Sequence, residues 1–249
     1  MAHTTNRLEV GNCLELVTTL EPGSFDAVVT DPAYWTLDKW REVGTTARLG
    51  GHSDPEKRDD SRWFPTIDSD DLWELMNELH ARLPKDAHVW MMCDFNTLPY
   101  IQGYASEAKY QYCKPYPVLK LTADGQGYRQ GMGYHGRASH EYAVLLEKGR
   151  RRFRQENWPD VFSYPWTGDR ETREATADGK PFPTAKPVAL MERLIELSTE
   201  PGETILDPFC GSGTTVVAAR NTGRNWIAFD ISPAAIEVTT KRLSQEVLL

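Results

Sequence analysis

The stretch that decides the fold is residues 203–230, ETILDPFCGSGTTVVAARNTGRNWIAFD. A short apolar run ends at Asp207, a turn containing Gly211 and Gly213 follows, then a helical pattern, and then a second apolar run that ends at Asp230. Glycine lets a backbone approach a ligand where a side chain would clash. The two aspartates are 23 residues apart, which suits one βαβ unit whose far acid binds ribose hydroxyls. The stretch therefore predicts a ligand-binding turn at the end of a parallel strand.

The chemistry of this turn argues against a dinucleotide ligand. A dinucleotide fingerprint needs a third small residue where Val216 stands, and it holds pyrophosphate at the helix N-terminus. Here Asp207 ends the strand, and a carboxylate in that place suits a cation such as the sulfonium of S-adenosylmethionine. A glycine-rich connector without a ligand is the alternative. The cofactor-binding candidates of the stretch are Asp207, Phe209, Gly211, Ser212, Gly213, Thr214 and Asp230.

Apolar runs alternate with helical patterns along the rest of the chain, which is typical of an α/β protein. We predict strands at residues 8–10, 25–31, 88–93, 117–121, 142–147, 204–207 and 226–230. We predict helices at residues 71–83, 187–198 and 213–221. Strands 117–121 and 142–147 have no helix between them, so we expect them to pair as an antiparallel hairpin. The result is a seven-stranded sheet, mostly parallel with one antiparallel strand.

The composition is that of a globular protein. Hydrophobic residues are 40% and charged residues 26% of the 249, which excludes a disordered or fibrous chain. A net charge of −8 excludes a uniformly basic protein but allows a local basic patch. The four cysteines lack metal-ligand spacing, so we expect no metal site and no disulfide framework. Without an apolar leader or a membrane-length apolar run, we expect a cytoplasmic protein with no membrane partner.

A second motif, Asp31-Pro32-Ala33-Tyr34, follows the apolar run 25–29. It lies at the carboxyl end of a predicted strand, where α/β sheets bind ligands. Asp31 can accept one N–H of a planar amine, and the carbonyl of Pro32 or its neighbour can accept the other. An exposed Tyr34 ring can stack on the ring that carries the amine. An ordinary Asp-Pro turn is the alternative. The catalytic candidates are Asp31, Pro32 and Tyr34.

Together the two motifs resemble those of the β-class amino-methyltransferases of DNA, which methylate exocyclic amines of adenine or cytosine in restriction-modification systems or as orphan and phage enzymes. DPAY is similar to the family's (D/N/S)PP(Y/F/W) motif, and DPFCGSGTT is similar to its cofactor loop. FPTAKP at residues 182–187 resembles HPTEKP, while SHEY at 139–142 and EKG at 147–149 resemble a later segment. The catalytic motif precedes the cofactor motif, which is the permuted order that defines the β class.

The resemblance implies a Rossmann-like, circularly permuted methyltransferase sheet, S-adenosylmethionine as the cofactor and double-stranded DNA as the partner. It adds Asn12, Asp31 and Lys186 to the cofactor-binding candidates. The chain departs from the family pattern by Ala33 in place of the second proline, Phe182 in place of the histidine, and Asn12 in place of an acid. A cognate restriction endonuclease and a homodimer are left open.

The resemblance also divides the chain. Residues 1–148 form the expected catalytic half with a long loop at 35–70, residues 149–180 a target-recognition insert, and residues 181–249 the cofactor-binding half. We expect the insert to bind DNA phosphates and base edges through its cations and aromatic rings. A solvated charge run is the alternative. The DNA-binding candidates are Arg150, Arg151, Arg152, Arg154, Trp166 and Arg170, with Tyr134 and Arg137 from a glycine-rich loop.

The mechanism implied by the resemblance begins with a base flipped out of the duplex, because its amine is inaccessible in the stack. Two acceptors then hold the amine so that its lone pair attacks the methyl group of the donor. In the resembling families an aspartate at the first motif position, here Asp31, goes mostly with adenine. N6-adenine methylation is therefore favoured over N4-cytosine methylation. RNA or protein glutamine as the substrate, a catalytically silent DNA-binding regulator and a nicotinamide oxidoreductase are the weaker alternatives.

Overall fold

The computed structural model describes residues 6–37, 66–129, 138–166 and 185–245. In these ranges the chain forms one mixed sheet with helices packed on both faces. The strands are β1 (Arg7–Val10), β2 (Ala27–Thr30), β3 (Ala87–Cys93), β4 (Tyr112–Leu121), β5 (His140–Lys148), β6 (Phe162–Pro165), β7 (Thr204–Asp207) and β8 (Asn225–Asp230). The α-helices are α1 (Cys13–Thr18), α2 (Ser69–Arg82), α3 (Leu98–Glu107), α4 (Val188–Ser198), α5 (Thr214–Asn221) and α6 (Pro233–Ser244). A 3-10 turn at Trp35–Leu37 follows β2.

The strands lie across the sheet in the order β1-β8-β7-β2-β3-β5-β4-β6. β5 is antiparallel to β3 and to β4, and the other pairings are parallel. The predicted mostly parallel sheet with one antiparallel strand is therefore confirmed, as is the hairpin of β4 and β5. β7 and β8 come late in the chain but lie between β1 and β2, which is a permuted arrangement.

The described sheet has an eighth strand, β6, that the sequence did not predict. It pairs in parallel with the last residues of β4, starting at Val118. β4 also begins earlier than predicted and contains Pro115 and Pro117, which have no N–H to donate. Backbone nitrogens of successive strand residues point to opposite neighbours. The N–H of Lys120 donates to Ser139 on the β5 side, so the nitrogens of Pro115 and Pro117 point to the β6 side. β6 pairs with that side only from Val118 onward, so the missing donors cost no ladder hydrogen bond.

Part of the predicted insert 149–180 belongs to this scaffold. Phe162 of β6 is buried and lies edge-on to the ring of Trp90 in β3. Phe153 stacks on the same tryptophan, with 5.8 Å between ring centroids. The described portion of the insert therefore contributes to the core on one face of the sheet. Residues 167–184 lie outside the described ranges.

Two apolar clusters cover the two faces, because successive side chains of a strand point to opposite sides. Val28 of β2 packs with residues of α1, α2 and α3, whereas Ala27 and Val29 pack with residues of α4 and α5. β3 is buried along its whole length, as expected for a central strand covered on both faces. Because the faces are filled, ligands can reach the sheet at the ends of its strands.

The three predicted helices are confirmed as α2, α4 and α5, with shifts of one or two residues at their starts. The helices α1, α3 and α6 were not predicted. α2 begins where Asp68 accepts the backbone N–H of Asp71 at 2.9 Å, an N-cap that satisfies one of the free donors of the first turn. None of the helices in the four described ranges has the length and apolar character needed to cross a bilayer.

Candidate active site

Polar side chains gather where the parallel strands end, at a border of the sheet that we call the carboxyl edge. The antiparallel β5 begins at this same edge. The side chains there are Asn12 after β1, Asp31 after β2, Asp94 after β3, Glu141 at the start of β5, Asp207 at the end of β7 and Asp230 at the end of β8. The predicted catalytic and cofactor-binding motifs are thus brought to one edge, where parallel sheets bind ligands.

Asp207 joins β7 to β2 beneath the glycine turn. Its Oδ1 accepts hydrogen bonds from Thr30 Oγ1 at 2.8 Å and from the backbone N–H of Phe209 at 3.1 Å. Burial raises the pKa of Asp207 to about 7, although its hydrogen bonds lower it. A carboxylate held in this way acts on a nearby cation through its charge rather than through direct contact.

Asp230 holds the other side of the turn. Its Oδ2 accepts the N–H of Gly211 at 2.8 Å, and its Oδ1 accepts the N–H of Ser232 at 2.8 Å. Burial raises the pKa of Asp230, and the two backbone donors oppose that rise. Each carboxylate oxygen has two lone pairs, so Asp230 keeps the capacity to accept ribose hydroxyls as well.

Helix α6 supports the glycine turn from behind. The hydroxyl of Thr239 donates to the carbonyl of Gly211 at 3.1 Å, and Nη1 of Arg242 donates to the carbonyl of Ser212 at 2.7 Å. Gly213 has a φ of +77°, and a Cβ there would lie 2.5 Å from Cγ2 of Thr239. Gly213 therefore makes room for α6, and its close approach to a ligand stays a prediction.

Three other predicted cofactor-binding residues are engaged within the fold. Asn12 caps α1, because its Oδ1 accepts the N–H of Leu14 at 2.8 Å. Thr214 is buried at the start of α5, and Phe209 is half-buried against the core. All three lie at or beside the carboxyl edge. Their contact with a cofactor stays a prediction.

The DPAY turn is fixed to the scaffold on both sides. Ile67 donates its N–H to the carbonyl of Ala33 at 2.7 Å. Pro32 is buried, and Asp31 keeps 29% of its side chain exposed. The ring of Tyr34 is only 3% exposed, and its hydroxyl donates to a backbone carbonyl of β3. The expectation of an exposed Tyr34 ring is therefore wrong, because the core between the sheet and α2 encloses it.

Asp31 is paired with a buried lysine. Nζ of Lys186 contacts Oδ2 of Asp31 and lies 3.9 Å from Oε1 of Glu141. Nζ of Lys120 binds the other Glu141 oxygen at 3.1 Å. Burial raises the pKa of Asp31, and Lys186 opposes the rise. Burial lowers the pKa of Lys186, but Asp31 and Glu141 outweigh it and the net shift is upward. Lys186, expected at the cofactor, thus contacts the carboxylate expected to hold the target amine.

The predicted DNA-binding residues lie in two separate places. Trp166 is at the carboxyl edge, with its ring centroid 4.6 Å from Nζ of Lys120 and 6.0 Å from Nζ of Lys186. Four arginines follow β5 at the opposite edge of the sheet: Arg150, Arg151, Arg152 and Arg154. Two of these form ion pairs there, Arg151 with Glu203 and Arg154 with Glu200. Tyr134, Arg137 and Arg170 lie outside the described residues, as does most of the loop at 35–70.

Sequence reasoning missed several residues at this edge. Asp94 follows β3 in the same way that Asp31 follows β2, so the same signal, an acid after an apolar run, could have found it. The next residue, Phe95, is 72% exposed. Thr239 and Arg242 were missed because α6 itself was not predicted. Glu141 was identified only as part of the motif at residues 139–142, without a role of its own.

Comparison with known proteins gives the same family. The sequence model of the N6_N4_Mtase family, described as DNA methylase, matches residues 25–241. The type II methyltransferase M2.DpnII of Streptococcus pneumoniae is 29% identical over 91% of this chain and 85% of its own length. The DNA adenine methyltransferase YhdJ of Escherichia coli K12 is 27% identical over 73% of this chain and 68% of its own.

Solved structures share the fold. The M1.HpyAVI–SAM complex superposes with a TM-score of 0.64 at 20% identity, covering 96% of this chain and 98% of that chain. The cytosine-N4-specific PvuII DNA methyltransferase superposes with a TM-score of 0.69 at 14% identity, covering 99% of this chain and 89% of that chain. Since the family match spans most of the sequence and both motifs meet at one edge of the sheet, the chain belongs to the N6/N4 family of DNA methyltransferases.

Proposed function

We propose that this protein transfers a methyl group from S-adenosylmethionine to the N6 amine of an adenine flipped out of double-stranded DNA. The observation that carries the proposal is the Asp31 carboxylate, which lies at the same edge of the sheet as Asp207 and Asp230 of the cofactor motif. A hydrogen-bond acceptor for the amine and a turn for the methyl donor are thus neighbours. The aspartate in the first motif position supports adenine, as does the relative that is named as an adenine methyltransferase.

The chemistry needs a stronger nucleophile than a free adenine amine, whose lone pair is conjugated with the ring. Asp31 accepts one N–H of the amine. The carbonyl of Ala33 already accepts the N–H of Ile67, which makes the carbonyl of Pro32 the better acceptor for the second N–H. With both N–H bonds held, the lone pair is freed to form the N–C bond while the C–S bond breaks and its electrons stay on sulfur. The nitrogen then releases its extra proton to water. Fixed acceptors supply much of the acceleration.

The residues around the glycine turn fit the methyl donor. Asp230 can accept the ribose hydroxyls, and the charge of Asp207 attracts a sulfonium or an ammonium group. The turn is already held by Asp230 and by α6, so little conformational entropy is lost on binding. S-adenosylmethionine, when bound, supplies an electrophilic methyl group.

Because the ring of Tyr34 is buried in this structure, the flipped base needs a different aromatic ring to stack on. Phe95 is strongly exposed directly after β3, and Trp166 lies beside Lys186. Both rings are at the carboxyl edge, where a base held by Asp31 has to lie. We assign stacking on the base or on its neighbours in DNA to these two residues.

The test is product analysis. Purified protein is incubated with unmodified DNA and the donor, the DNA is digested to nucleosides, and the products are identified by mass spectrometry. N6-methyladenine supports the proposal, and its loss in Asp31→Ala assigns it to this site. If the product is N4-methylcytosine, the second candidate function, N4-cytosine methylation, is established. The fold that the chain shares with a cytosine-N4 enzyme is the reason to test for it. Donor binding without either product contradicts both. A cognate endonuclease and a homodimer stay predictions, to be tested by co-purification and sedimentation.

A further inference from the structure

Phe95 is the most exposed of the large hydrophobic side chains in the four described ranges, at 72%. It lies at the carboxyl edge, two residues after β3 ends at Cys93. A single exposed apolar side chain is common on proteins, so its position decides what it can contact. Unlike the exposed tyrosines, Phe95 has no hydroxyl to bond water, so contact with an apolar partner is its favourable state.

The register of the sheet shows how far Phe95 lies from the reacting group. β2 and β3 are parallel with Thr30 opposite Met91, so Asp31 is level with Met92, one residue further along. Phe95 is three residues beyond Met92, and a strand residue advances ~3.3 Å, so its backbone lies up to about 10 Å past Asp31 in the strand direction. A base whose amine contacts Asp31 stays joined to its DNA strand, so it extends from Asp31 towards the duplex. Phe95 therefore lies on the duplex side of the base.

The turn that carries Phe95 is fixed by its neighbours. Oδ1 of Asp94 accepts the N–H of Thr97 at 2.8 Å, and the carbonyl of Asp94 accepts the N–H of Leu98 at 3.2 Å. The buried hydroxyls of Thr97 and Thr36 are 2.8 Å apart, which ties this turn to the 3-10 turn after the DPAY motif. Because the backbone is already ordered, little conformational entropy is lost when the exposed ring contacts a partner.

Base flipping creates two places where an aromatic ring can bind. The flipped base loses the stacking of its neighbours, and the duplex keeps a gap between the adjacent base pairs. Apolar side chains of DNA-binding proteins insert between base steps, where they replace part of the lost stacking. A ring beside Asp31 suits the base, whereas a ring displaced towards the duplex suits the gap.

We propose that Phe95 inserts into the duplex at the target site and fills the space that the flipped base leaves. The inference rests on the proposed function and gives separate roles to the two aromatic residues of the carboxyl edge. The ring of Trp166 lies 6.0 Å from Nζ of Lys186, which contacts Asp31, so Trp166 is placed beside the base. Phe95 contacts the neighbouring base pairs instead and is a positioning residue for the target amine.

The first test is binding to a duplex that has the gap but lacks the base. An abasic nucleotide replaces the target base at the position where methylation is mapped, and affinity is measured by fluorescence anisotropy with S-adenosylhomocysteine present. We expect Phe95→Ala to bind this duplex about tenfold more weakly than the parent, because stacking against a base contributes affinity of that order. Phe95→Trp keeps an aromatic ring and should bind within about twofold of the parent. Unchanged affinity in Phe95→Ala overturns the proposal.

The matched control is Tyr112→Ala. Tyr112 is also an exposed aromatic residue, at 45%, but it begins β4 opposite Glu147, at the other edge of the sheet. We expect this variant to bind the abasic duplex with the parent's affinity. A loss equal to that of Phe95→Ala would assign the effect to aromatic surface in general and would also overturn the proposal.

The second test is turnover on duplexes that differ in the cost of flipping. On a fully paired duplex at saturating concentration, we expect kcat of Phe95→Ala to fall about tenfold or more, because less of the bound DNA is flipped. A mismatch opposite the target base lowers the cost of flipping, so kcat should recover to within about threefold of the parent. A loss by the same factor on both duplexes places the defect after flipping and contradicts the inference.

The outcomes distinguish this inference from the proposed function. If the mapped product is N4-methylcytosine, the proposed adenine is wrong, and the abasic nucleotide replaces that cytosine with the same expectation for Phe95. If the parent methylates adenine and Phe95→Ala binds the abasic duplex as the parent does, the function stands and the inference fails. A parent protein that methylates no base in double-stranded DNA contradicts both.

Discussion

Asp31 differs from Asp207 and Asp230 because its carboxylate is held by a charged side chain, that of Lys186. Asp207 and Asp230 instead accept backbone N–H groups and fix the turn. This division predicts that Asp31 serves the reaction and the other two serve the donor site.

For Asp31→Ala we expect methyl transfer to fall about 30- to 1,000-fold, since loss of an essential acceptor removes about 2–4 kcal/mol of transition-state stabilisation. Donor affinity should change no more than a few-fold, because the donor site is built on β7, β8 and α6. Single-turnover kinetics and calorimetry measure the two quantities. Near-normal turnover in this variant contradicts the role of Asp31.

The titration of Asp207 is expected to make donor affinity depend on pH. Its folded-state pKa is raised to about 7, above an unfolded value of about 4. Its protonation therefore stabilises the fold most below pH 4, and this contribution is lost as pH rises through about 7. Donor binding has the opposite sign, because a sulfonium is attracted only by the ionised carboxylate. We expect donor affinity to rise as pH increases through about 7.

Calorimetry of the parent protein and of Asp207→Asn across this pH range tests the prediction. The variant should bind the donor weakly with little dependence on pH, because an amide has no proton to lose. S-adenosylhomocysteine, which lacks the sulfonium charge, is the ligand control and should show a smaller dependence in the parent protein. A pH dependence retained in full by Asp207→Asn assigns the effect to another group, for which Asp230 is the neighbour with a raised pKa.

At the scale of elements, α6 determines whether the glycine turn holds its shape. A side chain at position 213 would have to displace Thr239 and would also be strained by the positive φ. We expect Gly213→Ala to lower the free energy of unfolding by about 1–3 kcal/mol and to weaken donor binding. Gly202→Ala is the matched control, since Gly202 has a φ of +89° and a Cβ added there would have no atom within 4 Å.

Urea denaturation and donor calorimetry of both variants separate the two costs. Gly202→Ala measures backbone strain alone and should leave donor affinity unchanged. The excess destabilisation of Gly213→Ala is the clash with Thr239, and adding Thr239→Ala should relieve part of it. Equal losses in the two glycine variants would mean that contact with α6 is unimportant for the turn.

The elements that sequence could predict are those with a local signal. β2, β3, β7 and β8 are short apolar runs, and α4 and α5 have clear boundaries. α3 has Pro99 in its first turn, Gly103 inside it and no side-chain cap, which leaves a weak pattern. α6 did carry a start signal, Ser232 as cap followed by Pro233, and could have been predicted. β6 carried no local signal of this kind. Its pairing with β4 could not be predicted either, since β4 lies about 45 residues earlier and contains prolines.

The residues of the active site likewise include some that the sequence could predict and some that it could not. Asp31, Asp207 and Asp230 could be found because each follows an apolar strand, and parallel strands deliver such residues to one edge. The pair of Asp31 and Lys186 could not, since 155 residues separate them and no local pattern joins them. Lys120 and Glu141 meet only because β4 and β5 pair in a particular register. Side-chain partners from separate segments are a property of the folded chain.

At the scale of the whole molecule, the arginines at residues 150–154 lie at one edge of the sheet, and the reacting groups lie at the opposite edge. β5 has nine residues, which at about 3.4 Å per residue puts about 27 Å between its ends. Glu141 is at one end, beside Asp31, and Arg150 follows the other end. Arg151 and Arg154 are also engaged by glutamates there. A duplex whose flipped base reaches Asp31 has to lie over the carboxyl edge.

We therefore expect phosphate contacts from cations at the carboxyl edge rather than from the arginines that follow β5. Arg129 is exposed and donates to the carbonyl of Trp166 at 2.9 Å, which places it at this edge. Arg129→Gln should weaken DNA binding and reduce the slope of log affinity against log salt by about 0.9 if it neutralises one phosphate. The double variant Arg150→Gln with Arg152→Gln is the control, and its affinity and slope should match the parent because both residues lie across the sheet from Asp31. Fluorescence anisotropy with a labelled duplex over a series of salt concentrations measures both quantities. A reduced slope in the double variant, with none in Arg129→Gln, would return DNA binding to the arginines of residues 149–180 and would require the duplex to extend across both edges of the sheet.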